Sequence, residues 1–168
     1  MALRICKAVI KDHNIISSAR TVDQLIEFVK PLLVDDEHGA REEPFEFEEG
    51  QESVSCLVHM IAHKSNADIY YDLILRLKKV FAQGGHQRQK YTYPALCFSL
   101  IRLTAFLNNP PYHEQQPEEE KVEEGQEAEP APKVQASQAR IFKNLAEMIN
   151  ALQSHYPELA LRLNLQAT

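Results

Sequence analysis

Tryptophan is absent from this chain of 168 residues, glycine occurs five times and cysteine three times. Each scarcity excludes something. Cys6, Cys56 and Cys97 stand far apart, odd in number and each among apolar neighbours, which is a poor basis for a disulfide framework. They read as reduced core residues rather than redox or catalytic groups. No run approaches the roughly 18 consecutive apolar residues that a membrane span needs, and the start lacks the basic-then-apolar layout of a secretory signal. A cytosolic or nuclear protein is expected. Alternating apolar and polar residues, the mark of a strand, are also missing, apart from a short acidic stretch at residues 44–48. What remains is enough apolar content, 44%, to bury a core.

The net charge of −6 conceals a segregation. Residues 35–52 hold nine acids and one base, Arg41, and residues 114–129 hold eight acids and one base, Lys121. The rest of the chain keeps seven acids against 16 bases. The pattern predicts a basic folded body separated by acidic linkers. A basic body suits an anionic membrane surface, a nucleic acid or an acidic partner, although acidic loops that simply solvate and screen it give the same pattern.

Helical periodicity dominates elsewhere. Leu3, Cys6, Val9 and Ile10 mark a short amphipathic helix in residues 2–11, whose uncapped start implies a segment of a longer protein. Thr21-Val22-Asp23-Gln24 reads as a capping box, opening a helix that Pro31 kinks or ends near Lys30, with a further turn beyond it. Residues 34–51, with Gly39, Pro44 and Gly50, read as a linker. A helix is predicted over 52–63, another over 67–82 closed by Gly84-Gly85, and after a loop at 84–93 a third opened by Pro94 and stopped by Asn108-Asn109-Pro110-Pro111. Residues 112–135 are Glu, Gln, Pro and Ala with almost no bulky apolar side chain, a composition expected to be disordered. Two final helices follow, over 136–154 and from Pro157 onward. The fold class is therefore all-α. Short breaks favour antiparallel hairpins stacked as an α-solenoid of HEAT-like pairs, with a closed bundle as the alternative. The division is a first helix pair at 1–33, an acidic linker at 34–51, central helices at 52–107, an acidic insertion at 108–135 and a last pair at 136–168.

The residues that might carry chemistry do not assemble into an active site. Cys56, His59 and His63 share a helix face, yet three ligands without a second cluster fall short of a structural zinc site, and no Glu stands between the histidines as in helical metalloproteases. No serine sits in a glycine-flanked elbow, and Gly84-Gly85 follows a helix without the Lys-Ser/Thr ending of a phosphate loop. Neither enzyme activity nor a cofactor or metal is expected. The most informative stretch is 84–94, where Gln87, Arg88, Lys90, Tyr91 and Tyr93 combine cationic and aromatic groups. Such groups grip RNA by phosphate contact and stacking, or anchor a protein, because Arg and Tyr are enriched at binding hot spots. They serve equally as a helix connection, with tyrosines tucked into the core and bases meeting helix-end carbonyls. Of the two binding readings, protein is preferred, with a helical-repeat nucleic-acid module as the alternative.

The same stretch carries a resemblance. Val80-Phe81, Gly84-Gly85, Gln87-Arg88, Thr92, Pro94, Leu96 and Phe98 are similar to a run in the vacuolar protein sorting-associated protein 35 family, the large solenoid subunit of retromer. Leu161-Arg162-Leu163 and Leu165-Gln166, and in weaker form Lys30-Pro31-Leu32-Leu33 and Leu57-Val58-His59, match in the family's order. The resemblance implies a piece of the C-terminal half of a scaffold that returns receptors from endosomes to the Golgi or plasma membrane. It implies residence in the cytoplasm, peripheral to the cytosolic face of endosomes. The implied partner is the phosphoesterase-fold subunit, vacuolar protein sorting-associated protein 29, with Gln87, Arg88, Lys90, Tyr91 and Tyr93 as the candidate contacts. Other retromer subunits and sorting nexins are reached only through the full-length parent, and no nucleic acid is expected. The Glu-rich stretch at 112–135 departs from the family pattern.

Overall fold

A computed structural model describes residues 15–33, 44–63, 66–108 and 135–167, and the architecture among them is all-α. The helices are α1 (Ala19–Leu33), α2 (Pro44–Met60), α3 (Ala67–Phe81), α4 (Gly85–Asn108), α5 (Gln138–Gln153) and α6 (Pro157–Ala167), with a 3-10 turn at Ala82–Gly84 between α3 and α4. They form three layers: α1 with α2, α3 with α4, α5 with α6. Successive layers stack through α1 on α3, α2 on α4 and α4 on α5, which is the arrangement of an α-solenoid. The helix expected at 2–11, the linker residues 34–43 and most of the acidic insertion lie outside the described residues.

Local chemistry fixes several ends. Asn66 caps α3, its Oδ1 accepting from the backbone N–H groups of Asp68 and Ile69 at 2.9 and 3.0 Å. Ser137 caps α5 by accepting from the Arg140 N–H. Pro157 opens α6, where its missing N–H is no loss. α1 begins at Ala19, a turn ahead of the expected box at Thr21, and Ser18 supplies the first carbonyl, which accepts from the Val22 N–H. Before α1, Ile16 pairs with the end of α2: its N–H donates to Met60 O and its carbonyl accepts from the Ala62 N–H. That single parallel bridge ties the entry of the first layer to its exit.

One continuous core runs through all three layers. Val22, Leu73, Leu96, Leu100, Leu103 and Ile141 are fully buried, and α4, about 36 Å long at roughly 1.5 Å per residue, touches α2, α3 and both helices of the third layer. Cys97 lies in this core, whereas Cys56 is exposed on α2, so the expectation of a buried thiol fails at Cys56. Cys56 sits on the solvent side because Val54, Leu57 and Val58 supply the inner face of α2.

Two helix starts depart most from expectation, and they share a cause. α2 starts at Pro44 rather than Glu52, and α4 starts at Gly85 and runs through Pro94 rather than beginning there. In both extra segments most of the inward stripe is polar or small: Gly50 and Gln51 in α2, Arg88 and Thr92 beside a single buried ring, Tyr93, in α4. A helical period carried by such residues is invisible to a search for apolar spacing. Glu46, Glu48 and Glu49 therefore belong to a packed helix, not to a linker, and with Glu52 they make the folded body less uniformly basic than the chain's charge segregation suggested. α1 runs through Pro31 to Leu33, so the further turn expected beyond Pro31 is part of the same helix.

The end of α1 explains these polar stripes. Helix C-termini leave four carbonyls without intrahelical partners. The Leu32 carbonyl accepts from Gln51 Nε2 on α2 at 2.7 Å and from Arg88 Nε on α4 at 3.0 Å. Arg88 is only 7% exposed, with its guanidinium 5.2 Å from the centre of the Phe47 ring and facing the negative end of the α1 dipole. The chain can approach this closely only because residue 84 is glycine: a Cβ there would lie 2.7 Å from the Leu33 carbonyl oxygen. Gly85 follows at φ 73°, a left-handed conformation that lets the chain leave the 3-10 turn and enter α4.

Two outcomes follow. Gly84→Ala should lower the unfolding free energy by about 2 kcal/mol, since the methyl must push the end of α1 away, whereas Gly50→Ala should be neutral or stabilising. At Gly50 a Cβ meets only the Leu32 side chain, at 3.6 Å, within a regular helix. Urea denaturation of both variants checks the contrast. Burial pushes the Cys97 thiol up to about 12, so brief alkylation of the native protein near neutral pH should label Cys56 and leave Cys97 unmodified until the chain is unfolded, as read by peptide mass spectrometry.

Candidate partner-binding face

The residues of the 84–94 stretch lie on the first turns of α4, and the helix sorts them by direction. Arg88 and Tyr93 point inward: Arg88 caps α1, and Tyr93 is 4% exposed, its phenol held above the ordinary tyrosine range by burial. Gln87 and Lys90 point to solvent. Tyr91 is half-buried between α2 and α4. Its hydroxyl donates to Glu48 Oε1 at 3.1 Å, its carbonyl accepts from the Ser55 hydroxyl, and its ring meets Phe47 edge to face at 6.4 Å between centres. Burial, reinforced by the Glu48 carboxylate, holds its phenol proton more tightly than usual. The five residues thus divide into a buried pair that builds the stack and an outward group of Gln87, Lys90 and, at its edge, Tyr91.

The fold adds side chains that no local reading groups with these. His86 on α4 stacks on His155, from the turn between α5 and α6, with ring centres 4.2 Å apart and 17° between planes. Lys90 Nζ stands 5.0 Å from the centre of the Tyr91 ring and 6.0 Å from that of Tyr156. Hence the face contains residues from the second and third layers, brought together across some 60 to 70 positions of sequence. Farther along α4, Phe98 (42% exposed) and Arg102 continue the outward stripe of Gln87 and Lys90. Glu48 of α2 borders it, accepting from the Tyr91 hydroxyl. The only sequence sign of the contribution of the third layer is the Tyr156-Pro157 helix break, which says nothing about where the turn lands.

The chemistry available on this face is recognition: rings for stacking, a cation, amide and imidazole donors, and the Glu48 carboxylate as an acceptor at one rim. The Cys56, His59 and His63 constellation is not gathered into a site. His63 Nδ1 already accepts from the Asn66 N–H at 2.9 Å, and among the described residues no three His, Cys, Asp or Glu side chains are placed to share a metal ion. His59 lies on the outer side of α2, where partial burial and then the Arg102 charge disfavour its protonation. No helix among the described residues is long and apolar enough to cross a membrane.

Comparison with known proteins gives one consistent result. The profile of the family described as vacuolar protein sorting-associated protein 35 matches residues 1–168. Three proteins of Arabidopsis thaliana align with 99% of the chain: vacuolar protein sorting-associated protein 35A at 31% identity, 35B at 33% and 35C at 30%. In each case the alignment covers 19% of the relative, so the chain spans about a fifth of the length of the curated relatives it matches. No solved structure matches. An all-α stack of helix pairs, with the Gly84, Gly85 and Arg88 run built into its packing, is thus matched from end to end by one family: the chain belongs to the vacuolar protein sorting-associated protein 35 family.

Proposed function

We propose that this chain is a segment of a scaffold subunit in a retromer-type protein-sorting coat, and that its outward α4 face docks a second coat subunit. The observation that carries the reading is the division of labour along α4. Arg88 and Tyr93 are committed to the stack, while Gln87, Lys90 and Tyr91 are displayed beside His86, His155 and Tyr156 on a rigid support. Rigid helices that present a few aromatic and cationic anchors favour protein recognition, because little conformational freedom is lost on docking.

The partner proposed is the phosphoesterase-fold subunit, vacuolar protein sorting-associated protein 29, on endosomal membranes that the parent coat engages peripherally from the cytosolic side. Traffic from endosomes to the Golgi or plasma membrane is the corresponding cellular role, with other coat subunits and sorting nexins contacted by the parent outside this segment. A nucleic-acid partner fits less well, since the Glu48 carboxylate beside Tyr91 would repel a phosphate backbone. Scaffolding of this kind needs no catalytic group.

Calorimetric titration of the phosphoesterase-fold subunit tests the proposal. Lys90→Glu, alone or with Gln87→Ala, should weaken binding about tenfold or more without changing the melting temperature. Arg88→Ala should act the other way round, lowering stability first. Unchanged affinity in the folded Lys90→Glu protein would remove this face from the interface.

A further inference from the structure

The two junctions between layers are built differently. Between the first and second layers both sides close by helix packing, α1 on α3 and α2 on α4, and Arg76 adds an ion pair to Asp23 at 2.9 Å while also holding Asp72. Between the second and third layers the seam is α4 on α5, with Leu100 and Leu103 of α4 and Ile141, Leu145 and Met148 of α5 buried in the common core, the Gln138 amide donating to Asn108 Oδ1 at its edge, and α6 also touching α4. α3 and α5 lack the close backbone packing of those pairs. What spans them is a polar cluster.

Asn144 of α5 lies at the centre of that cluster. Its Oδ1 accepts from Lys78 Nζ of α3, and its Nδ2 donates to the hydroxyl of Tyr71, also on α3, at 2.7 Å, and to the Arg140 carbonyl at 2.9 Å. Lys78 also pairs with Glu147, one helical turn farther along α5, and thereby holds that carboxyl below the usual range. At the other end of α3 the Ala136 N–H, just before α5, donates to Asp68 Oδ1 at 2.7 Å. Tyr71 is 1% exposed, so the inner end of the cluster is shielded, while the Lys78 and Glu147 end is open to water.

An apolar seam on one side and a bridge of long polar side chains on the other is the construction of a hinge with a latch. We infer that the third layer, α5 and α6, pivots about the α4–α5 seam, and that Lys78, Asn144, Tyr71 and Glu147 form the latch that sets its angle. Apolar contact is nondirectional and tolerates a small rotation, whereas hydrogen bonds lose most of their strength once distance and angle are spoiled. The angle has a consequence for the α4 face. His155 and Tyr156 move with the third layer, and His86 and Lys90 stay with the second, so opening the latch would separate the stacked imidazoles. Only this last consequence rests on the proposed docking role; the hinge does not.

Pulsed electron–electron distance measurement on the whole chain tests the inference. Spin labels at Lys79→Cys on α3 and Asn164→Cys on α6 report across the junction, and labels at Lys79→Cys and Ala105→Cys report within the second layer, with Cys6 and Cys56 replaced by serine. Adding Lys78→Ala and Asn144→Ala should broaden the cross-junction distances and shift them by several ångströms, leaving the within-layer distances unchanged. The milder Lys78→Gln should give a smaller shift of the same sign, and it serves as the test if the double variant does not fold. An unchanged cross-junction distribution, or equal broadening of both pairs, would overturn the hinge. Partner binding is not read in this experiment, so its result stands apart from that of the docking proposal.

Discussion

The carbonyl of Leu32 is the point on which the first two layers depend. A helix end buried against other helices must find donors for its last carbonyls, or leave them without hydrogen bonds in a dry interior. Here Gln51 and Arg88 reach in from two different helices to the same oxygen. Burying a guanidinium is costly unless it is paired, and three features offset the cost: the helix-end carbonyl, the negative end of the α1 dipole and the face of Phe47. Gly84 makes room for the contact, and Gly85 turns the chain so that Arg88 faces it. One requirement, closing the end of α1, thus explains two glycines, a buried glutamine and a buried arginine.

That requirement also separates what the sequence discloses from what it hides. The apolar stripes of α3, α5 and α6 are legible, because Leu73, Leu77, Leu145, Met148 and Leu163 recur at helical spacing and the ends carry Asn66, Ser137 and Pro157. The first turns of α2 and α4 are not. Their inner positions hold Gln51, Ser53, Arg88 and Thr92, whose burial makes sense only once α1 arrives beside them. Ser53 and Thr92 even return their hydroxyls to their own helix, to Glu49 O and Arg88 O, so nothing local marks them as interior. Among Gln87, Arg88, Lys90, Tyr91 and Tyr93, which local sequence groups as one stretch, only the helical phase separates Arg88 and Tyr93 from the outward group. His86 with His155 was beyond reach, since that stack forms between distant turns.

Function in such an assembly resides in where the layers place their outward side chains. α4 serves as both core and display surface, which couples its inner cap to its outer face along one rigid rod. The third layer contributes to the same face yet is held on its far side by polar side chains, so the geometry of the face is adjustable in a way that its α4 part is not. This separation of a fixed from an adjustable half fits the proposed docking role.

A double-mutant cycle at the shared carbonyl tests the central claim most directly. Gln51→Ala and Arg88→Ala, singly and together, are compared by urea denaturation. Because both donors serve one oxygen, the account predicts a coupling free energy of about 0.5 kcal/mol or more between the two sites. Strict additivity of the two losses would contradict it, for then Gln51 and Arg88 would stabilise the fold through separate contacts and the end of α1 would not be the common point on which they act.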